Sequence, residues 1–223
     1  MLKKQLSRSS VIKITKFQQS CLLVEMPAPI NRTVLFDPGT MSESSLRVDD
    51  LEYLDDIVIT HIHSDHLSVK LIKALVAKFP TVRITAPAEV VDQLEKEEVT
   101  AVSEPSEGIV FFDSPHESVA PLFLQTEQIG VHYLGTLTHP GDSHSFTESK
   151  KVLALPVTAP WGSTIRAVNV ALDLKPEYVL PIHDWHWSDE ARHAMYRNLR
   201  QVFENHDITF IELETAVPVV LDV

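Results

Sequence analysis

Between Asp55 and Leu71 the chain reads DDIVITHIHSDHLSVKL, and the six residues from His61 to His66 include three histidines and an aspartate: His61, His63, Asp65 and His66. Imidazole nitrogens and carboxylate oxygens are the usual ligands of zinc and its neighbours in the first transition row. His61 and His63 alternate along a segment that reads as extended, which points both rings to one side. Asp65 and His66 follow where the chain turns into a helix, so they can reach a neighbouring point. That spacing suits two adjacent ions better than one. A zinc ion takes about four donors, so more ligands must come from elsewhere. His116 in FFDSPHES, Asp142 in LTHPGDSH and His183 in YVLPIHDWHW all stand at the ends of apparent strands. The competing reading is a histidine-rich polar loop, but three histidines at ligand spacing rarely serve packing.

The remaining candidates divide on chemistry. His139 and His144 flank Asp142 and either contact a substrate or hydrogen-bond within a turn. His186 is a rival to His183 and otherwise belongs to the rim. His132, His193 and His206 receive no function. Trp161, Trp185 and Trp187 flank the same segments and form either a hydrophobic wall or packed core.

These residues need elements to hold them. VIKITKF (11–17), SCLLVEM (20–26), TVLFDPG (33–39) and DIVITH (56–61) read as strands separated by turn formers. From Leu67 the period changes: Leu67, Leu71, Ile72, Leu75, Val76 and Phe79 fall at helical spacing, and Pro80 closes the run. VRITAP (82–87) is a strand, AEVVDQLEKEE (88–98) a helix, and GIVFF (108–112) and IGVHYLG (129–135) are strands. After KVLALPV (151–157), Ser163 or Thr164 caps a helix with Ile165, Val168 and Leu172 on its apolar face. EYVLPIH (177–183) is a strand. Ser188, with Asp189 and Glu190 in the first turn, begins a helix to about Asn205 whose apolar face is Met195, Leu199, Val202 and Phe203. TFIELE (209–214) is the last strand. Strands first, then strands mixed with helices, describe an α/β protein with mixed sheets.

The 223 residues suffice for one large domain or two small ones. A formal charge of −12 argues against nucleic acid or an anionic membrane as partner. Cys21 is the one cysteine, so no internal disulfide forms. The basic N-terminus MLKKQLSRSSVIKITKFQQS lacks the apolar segment of a signal peptide, and no apolar run approaches the ~18 residues of a membrane span. The expectation is a cytoplasmic protein. The sequence carries no signal for or against a homo-oligomer.

The motif THIHSDH matches the H-x-H-x-D-H signature of the metallo-β-lactamase superfamily, and its companions follow in the family's order. VLFDPG is similar to that fold's early aspartate turn, and THPGDS resembles its bridging-aspartate motif. PWGSTIRAVNVALDLKPEYVLPIH resembles the approach to the final histidine in the branch that includes ascorbate-6-phosphate lactonase and uncharacterised bacterial metal-dependent hydrolases. The resemblance implies a four-layer αββα sandwich, with two mixed sheets and helices on the outer faces, spanning residues 1–223 as a single domain. It implies that His61, His63 and His116 hold one ion, that Asp65, His66 and His183 hold a second, and that Asp142 bridges them. Asp37 would orient a ligand histidine by hydrogen bond. The chain departs from the branch at QQSCLLVE, where Gln18 and Gln19 stand in place of the common glycine and histidine.

The expected chemistry is hydrolysis. Two divalent ions, most simply zinc with manganese or iron as alternatives, would activate a hydroxide toward a small-molecule ester, lactone or phosphodiester. Asp65 or Asp142 would orient the nucleophile or relay a proton. No G-x-S-x-G elbow, Walker loop or dinucleotide fingerprint competes with this reading. The alternative is a metal-binding or regulatory protein of the same fold without turnover.

Overall fold

A computed structural model describes residues 11–122 and 124–223. Residues 1–10, which hold much of the basic stretch discussed above, lie outside the described residues.

The first sheet contains β1 (Val11–Lys16), β2 (Leu22–Met26), β3 (Arg32–Phe36), β4 (Asp56–Val58), β5 (Arg83–Thr85) and β12 (Pro218–Asp222). Its order is β12-β1-β2-β3-β4-β5. The pairs from β12 to β3 are antiparallel, and β3-β4 and β4-β5 are parallel. The second sheet contains β6 (Ile109–Phe112), β7 (Gly130–Tyr133), β8 (Leu137–His139), β9 (Val152–Pro156), β10 (Tyr178–Ile182) and β11 (Thr209–Phe210). It runs β11-β10-β9-β8-β7-β6, parallel through β8 and antiparallel beyond. Both sheets are mixed. Among the described residues four α-helices accompany them: α1 (Val69–Lys78), α2 (Ala88–Glu95), α3 (Thr164–Leu174) and α4 (Asp189–Glu204).

Side-chain alternation explains the layers. Along β1 and β2, Ile12, Ile14, Leu22 and Val24 face the second sheet, where they meet Val131, Tyr133, Val152, Ala154, Leu180 and Ile182. Leu23, Leu35 and Ile57 point the other way, onto Leu71, Ile72 and Leu75 of α1 and Val90 and Leu94 of α2. On the opposite side Leu153, Leu155 and Val179 pack against Ala167 and Ala171 of α3 and Tyr196, Leu199 and Phe203 of α4. Strands buried on both faces must be apolar almost without interruption, as CLLV and VLALPV are. The result is the αββα sandwich. No helix among the described residues is long and apolar enough to cross a membrane.

Several sequence expectations are corrected. PVVLD near the end is a strand, β12, and it pairs with β1; of 209–214 only Thr209 and Phe210 are strand. LTH (137–139) is also a strand, β8. The buried face of α3 is Ala167 and Ala171, whereas Ile165 is 71% exposed. Small residues let that helix approach β9 closely, which turns the larger Ile165 outward. On α4 the buried set is Tyr196, Leu199 and Phe203, with Val202 at the surface.

Candidate metal centre

The ligand candidates meet at one edge of the sandwich, where loops from the two sheets face each other. β4 ends at Val58, so His61 and His63 lie beyond the strand in a loop of bends and turns, not along an extended segment. The loop still brings them together: His61 Nε2 lies 3.1 Å from His63 Nδ1, and His116 Nε2 lies 3.2 Å from the same atom. Around a tetrahedral ion with ligands at about 2.1 Å, donor atoms stand about 3.4 Å apart. Asp142 Oδ2 completes this group at 4.0 Å from His61 and 3.8 Å from His116.

A second group shares Asp142. Its Oδ1 lies 3.0 Å from His66 Nε2 and 2.8 Å from His183 Nε2, and Asp65 Oδ2 stands 3.6 and 3.7 Å from the same two nitrogens. Asp142 Oδ1 is buried without a well-directed hydrogen bond despite these neighbours. The four donor atoms lie within 4.8 Å of one another, a spacing at which they can share a cation. Among the described residues, His61–His63–His116 and Asp65–His66–Asp142–His183 are the two clusters able to hold a metal ion. The residues fit the divalent metals that the sequence suggests.

The surroundings fix the rings. Asp37 accepts from Thr60 N–H at 2.7 Å through Oδ1, and through Oδ2 from Thr60 Oγ1 at 2.9 Å and from His66 Nδ1 at 2.7 Å. His66 thereby keeps Nε2 for the centre. His116 Nδ1 donates to the Glu117 carbonyl at 2.6 Å, leaving its Nε2 inward as well. The loops carrying His116 and Asp142 are joined by Glu117 N–H to the Asp142 carbonyl at 2.9 Å. Gln128 binds both: it accepts from Asp142 N–H at 2.8 Å and donates to the Ser114 carbonyl at 2.7 Å. Gly39 lets the turn after Asp37 pass against the loop, since a Cβ there would stand 1.9 Å from the Asp65 carbonyl oxygen.

Charge balance favours a cation. Burial disfavours a charge on His61, and together with His66 it holds that imidazole well below the ordinary histidine range. At His66 burial acts the same way, but Asp142, Asp37 and Asp65 outweigh it and hold the imidazolium well above that range. Burial would raise Asp142, yet His183 and His66 keep its carboxyl well below the usual carboxylate range. Three carboxylates gathered about buried imidazoles are a setting that a bound metal ion can neutralise.

The centre opens into a pocket of about 340 Å³ lined by Met41, Val119, Ala120, Leu122, Pro160 and Trp161 together with Gln19, Ser64, Ser118 and His186. A larger open groove of about 820 Å³, bordered by Trp185, Arg192 and Glu212, contains none of the ligand residues and is not this site. His186 therefore stands at the rim. His139 is buried, stacks on Phe36 with centroids 5.1 Å apart and hydrogen-bonds the Ser20 carbonyl at 3.2 Å. His144 donates to the Pro156 carbonyl at 2.7 Å and packs on Trp161. Trp161 does more than form a wall: its Nε1 donates to Asp142 Oδ2 at 2.9 Å. Trp161, Thr60, Gln128 and Gln19 are functional neighbours that spacing alone did not single out. For Gln19 the signal was present, as the departure from the branch pattern.

An αββα sandwich with two histidine–carboxylate clusters at its open edge defines a metallo-hydrolase type of fold. The sequence pattern of the beta-lactamase superfamily domain matches residues 13–183, and the chain belongs to that superfamily. It is similar to Protein Rv0786c of Mycobacterium tuberculosis at 29% identity over 218 residues, covering 92% of this chain and 99% of that one. Among solved structures it resembles Igni18, a metallo hydrolase from the archaeon Ignicoccus hospitalis, with a TM-score of 0.70 at 19% identity over 96% of this chain and 99% of the other. It also resembles a diphosphatase of the PhnP family, with a TM-score of 0.63 at 18% identity over 97% of this chain and 98% of the other. At these identities the two structures speak for the fold.

Proposed function

We propose that the chain, residues 1–223 as a single domain, is a dinuclear metal-dependent hydrolase of small neutral esters or lactones. The observation that carries this reading is the position of Asp142, whose two oxygens face two separate ligand groups at the floor of one pocket. Divalent ions bound there, zinc before manganese or iron, would supply a water of lowered pKa and a Lewis acid for developing oxyanion charge. The protein's own part is to place and to exclude. Asp65, with 21% of its side chain exposed, is the carboxylate that opens toward a substrate and can take or return a proton at the oxygen that faces neither Gln19 nor the centre. Asp142 is held by Trp161 on one side and by its loop hydrogen bonds on the other, which suits an orienting role.

The pocket lining favours neutral carbonyl substrates over phosphodiesters. Its walls are mainly apolar and, among the described residues, include no lysine or arginine. Arg166 is committed to Glu117 through two hydrogen bonds of 2.9 and 2.8 Å. The net charge of −12 supports a small-molecule substrate over nucleic acid, and a lone buried Cys21 is compatible with the cytoplasm.

Elemental analysis of protein reloaded with zinc, manganese or iron and desalted is the first test, followed by turnover of neutral aryl esters, lactones and a bis-aryl phosphodiester. The expected result is about two ions per chain, a sharp fall in Asp142→Ala, and chelator-sensitive hydrolysis of the esters or lactones. No retained metal after any reloading would end the hydrolase reading. Fixed metal binding without turnover of any substrate would favour a binding protein of the same fold.

A further inference from the structure

Gln19 stands inside the metal centre, although it is neither histidine nor acid. It follows β1 in a turn, is 1% exposed, and has a φ of +62°, a conformation that a non-glycine residue keeps only where its surroundings impose it. Its Nε2 lies 2.9 Å from Asp65 Oδ2 and 3.2 and 3.3 Å from the two ring nitrogens of His183. Its backbone carbonyl accepts from His183 N–H at 3.2 Å. One residue thus touches a ligand from the first sheet's loop and a ligand from the end of β10. Its other amide atom, Oε1, is buried with no hydrogen-bond partner. A glutamine present only for packing would satisfy that oxygen; here the amide is turned so that its NH2 meets the carboxylate.

We propose that Gln19 is a positioning residue for the ion of the Asp65–His66–Asp142–His183 group, setting that ion's affinity without setting that of the three-histidine ion. Donation from Nε2 occupies one lone pair of Asp65 Oδ2 and leaves the other aimed at the centre. The main-chain bond holds His183, itself at φ +61°, in the conformation that turns its ring inward. The contacts of the Gln19 side chain fall on Asp65 and His183, so its influence is asymmetric between the two groups. This inference rests on the two-ion reading above.

The test is a zinc titration in competition with a chromophoric chelator, giving a dissociation constant for each ion. It is run on the wild type, Gln19→Met and Gln19→His, with His116→Ala identifying which ion belongs to which group. Gln19→Met is expected to weaken the ion that survives in His116→Ala by about 10–100-fold and to leave the other unchanged. Gln19→His, which restores an N–H donor, is expected to recover much of the loss. Gln19→Asn, a residue suited to left-handed backbone but too short to reach Asp65, should reproduce the selective loss if Gln19→Met does not fold. Equal weakening of both ions, or of neither, overturns the proposal. If the wild type holds a single ion, the two-ion reading falls; the role of Gln19 then stands if Gln19→Met weakens that ion and is overturned if it does not.

Discussion

At the scale of single residues, the site is a problem of close approach. Asp37 takes a left-handed φ of +45°, and two residues later Gly39 passes so near the Asp65 carbonyl that no Cβ fits. The turn is also tied to the ligand loop by Thr40 N–H to the Ser64 carbonyl at 2.8 Å and Ser68 N–H to the Pro38 carbonyl at 2.9 Å. Gly39→Ala must therefore push the loop carrying His63, Asp65 and His66 away from the turn after β3. We expect a loss of about 1–3 kcal/mol in urea denaturation, typical of overpacking, together with weaker metal binding. Gly135→Ala is the control, because its Cβ would meet nothing within 4 Å and its φ of +63° charges it for backbone strain alone. If both variants lose equal stability and both keep wild-type metal affinity, the close approach at Gly39 does not govern the site. His61, His63, Asp65 and His66 were legible as candidate ligands because their spacing is local, whereas His116, Asp142 and His183 took candidate roles from the order of the family's motifs. Thr60, Gln128 and Trp161 were not legible, because ordinary residues acquire these roles only when loops distant in sequence meet: Gln128 and Asp142 are joined side chain to backbone across 14 positions.

At the scale of elements, the same division between local and long-range explains what the pattern revealed. Helix α1 was readable from its period, and α3 and α4 from their caps: Ser163 and Ser188 do accept from Arg166 N–H and Ala191 N–H. The strand β12 was missed because, among the described residues, it is an edge strand, with Pro218 at its start and exposed residues along it; its partner, β1, lies some two hundred positions away. Also invisible was the buried ion pair that ties the layers beside the site. Lys16, at the end of β1, donates to Asp184 Oδ2 at 2.6 Å, to Tyr196 OH at 3.2 Å and to the Pro181 carbonyl at 3.3 Å. Tyr196 OH also donates to Asp184 Oδ2. Burial would discharge Lys16 and lowers its pKa, while Asp184 opposes the shift; burial would raise Asp184, but Lys16 holds it below the usual carboxylate range. Lys16→Met takes the close cation from the buried carboxylate, leaving it Tyr196 OH and Arg192 at 4.0 Å, and we expect a loss of about 3 kcal/mol, the lower end for a broken buried pair, in chemical denaturation. The double variant Lys16→Met/Asp184→Leu should regain part of it, since no charge is left uncompensated although Tyr196 OH loses its acceptor. A single variant losing under about 1 kcal/mol, the worth of an exposed pair, would show that the pair contributes little.

For the whole molecule, an ion at the metal centre would add to the contacts that already join the two halves: apolar packing, hydrogen bonds and the buried Lys16–Asp184 pair. His61, His63, Asp65 and His66 follow β4 of the first sheet, whereas His116, Asp142 and His183 belong to loops and strand ends of the second. Each ligand group draws on both halves: His116 joins His61 and His63, and His183 and Asp142 join Asp65 and His66. An ion in either group therefore links the sheets, and it binds the folded chain far better than the unfolded one. Mass action then stabilises the fold by about 2.7 kcal/mol at a free metal concentration of 100 times Kd. For a chain of 223 residues, each kcal/mol moves the melting temperature by about 2–4 °C. Metal removal by chelation should lower the midpoint by several degrees, and readdition of zinc should restore it in a concentration-dependent way. Asp142→Ala, which takes one donor from each group, should melt near the chelated wild type and respond weakly to zinc. His186→Ala, at the rim, should keep the full response. A chelated protein that melts with the loaded one would mean that the loops hold their geometry without any ion, and that the sandwich gains nothing from metal.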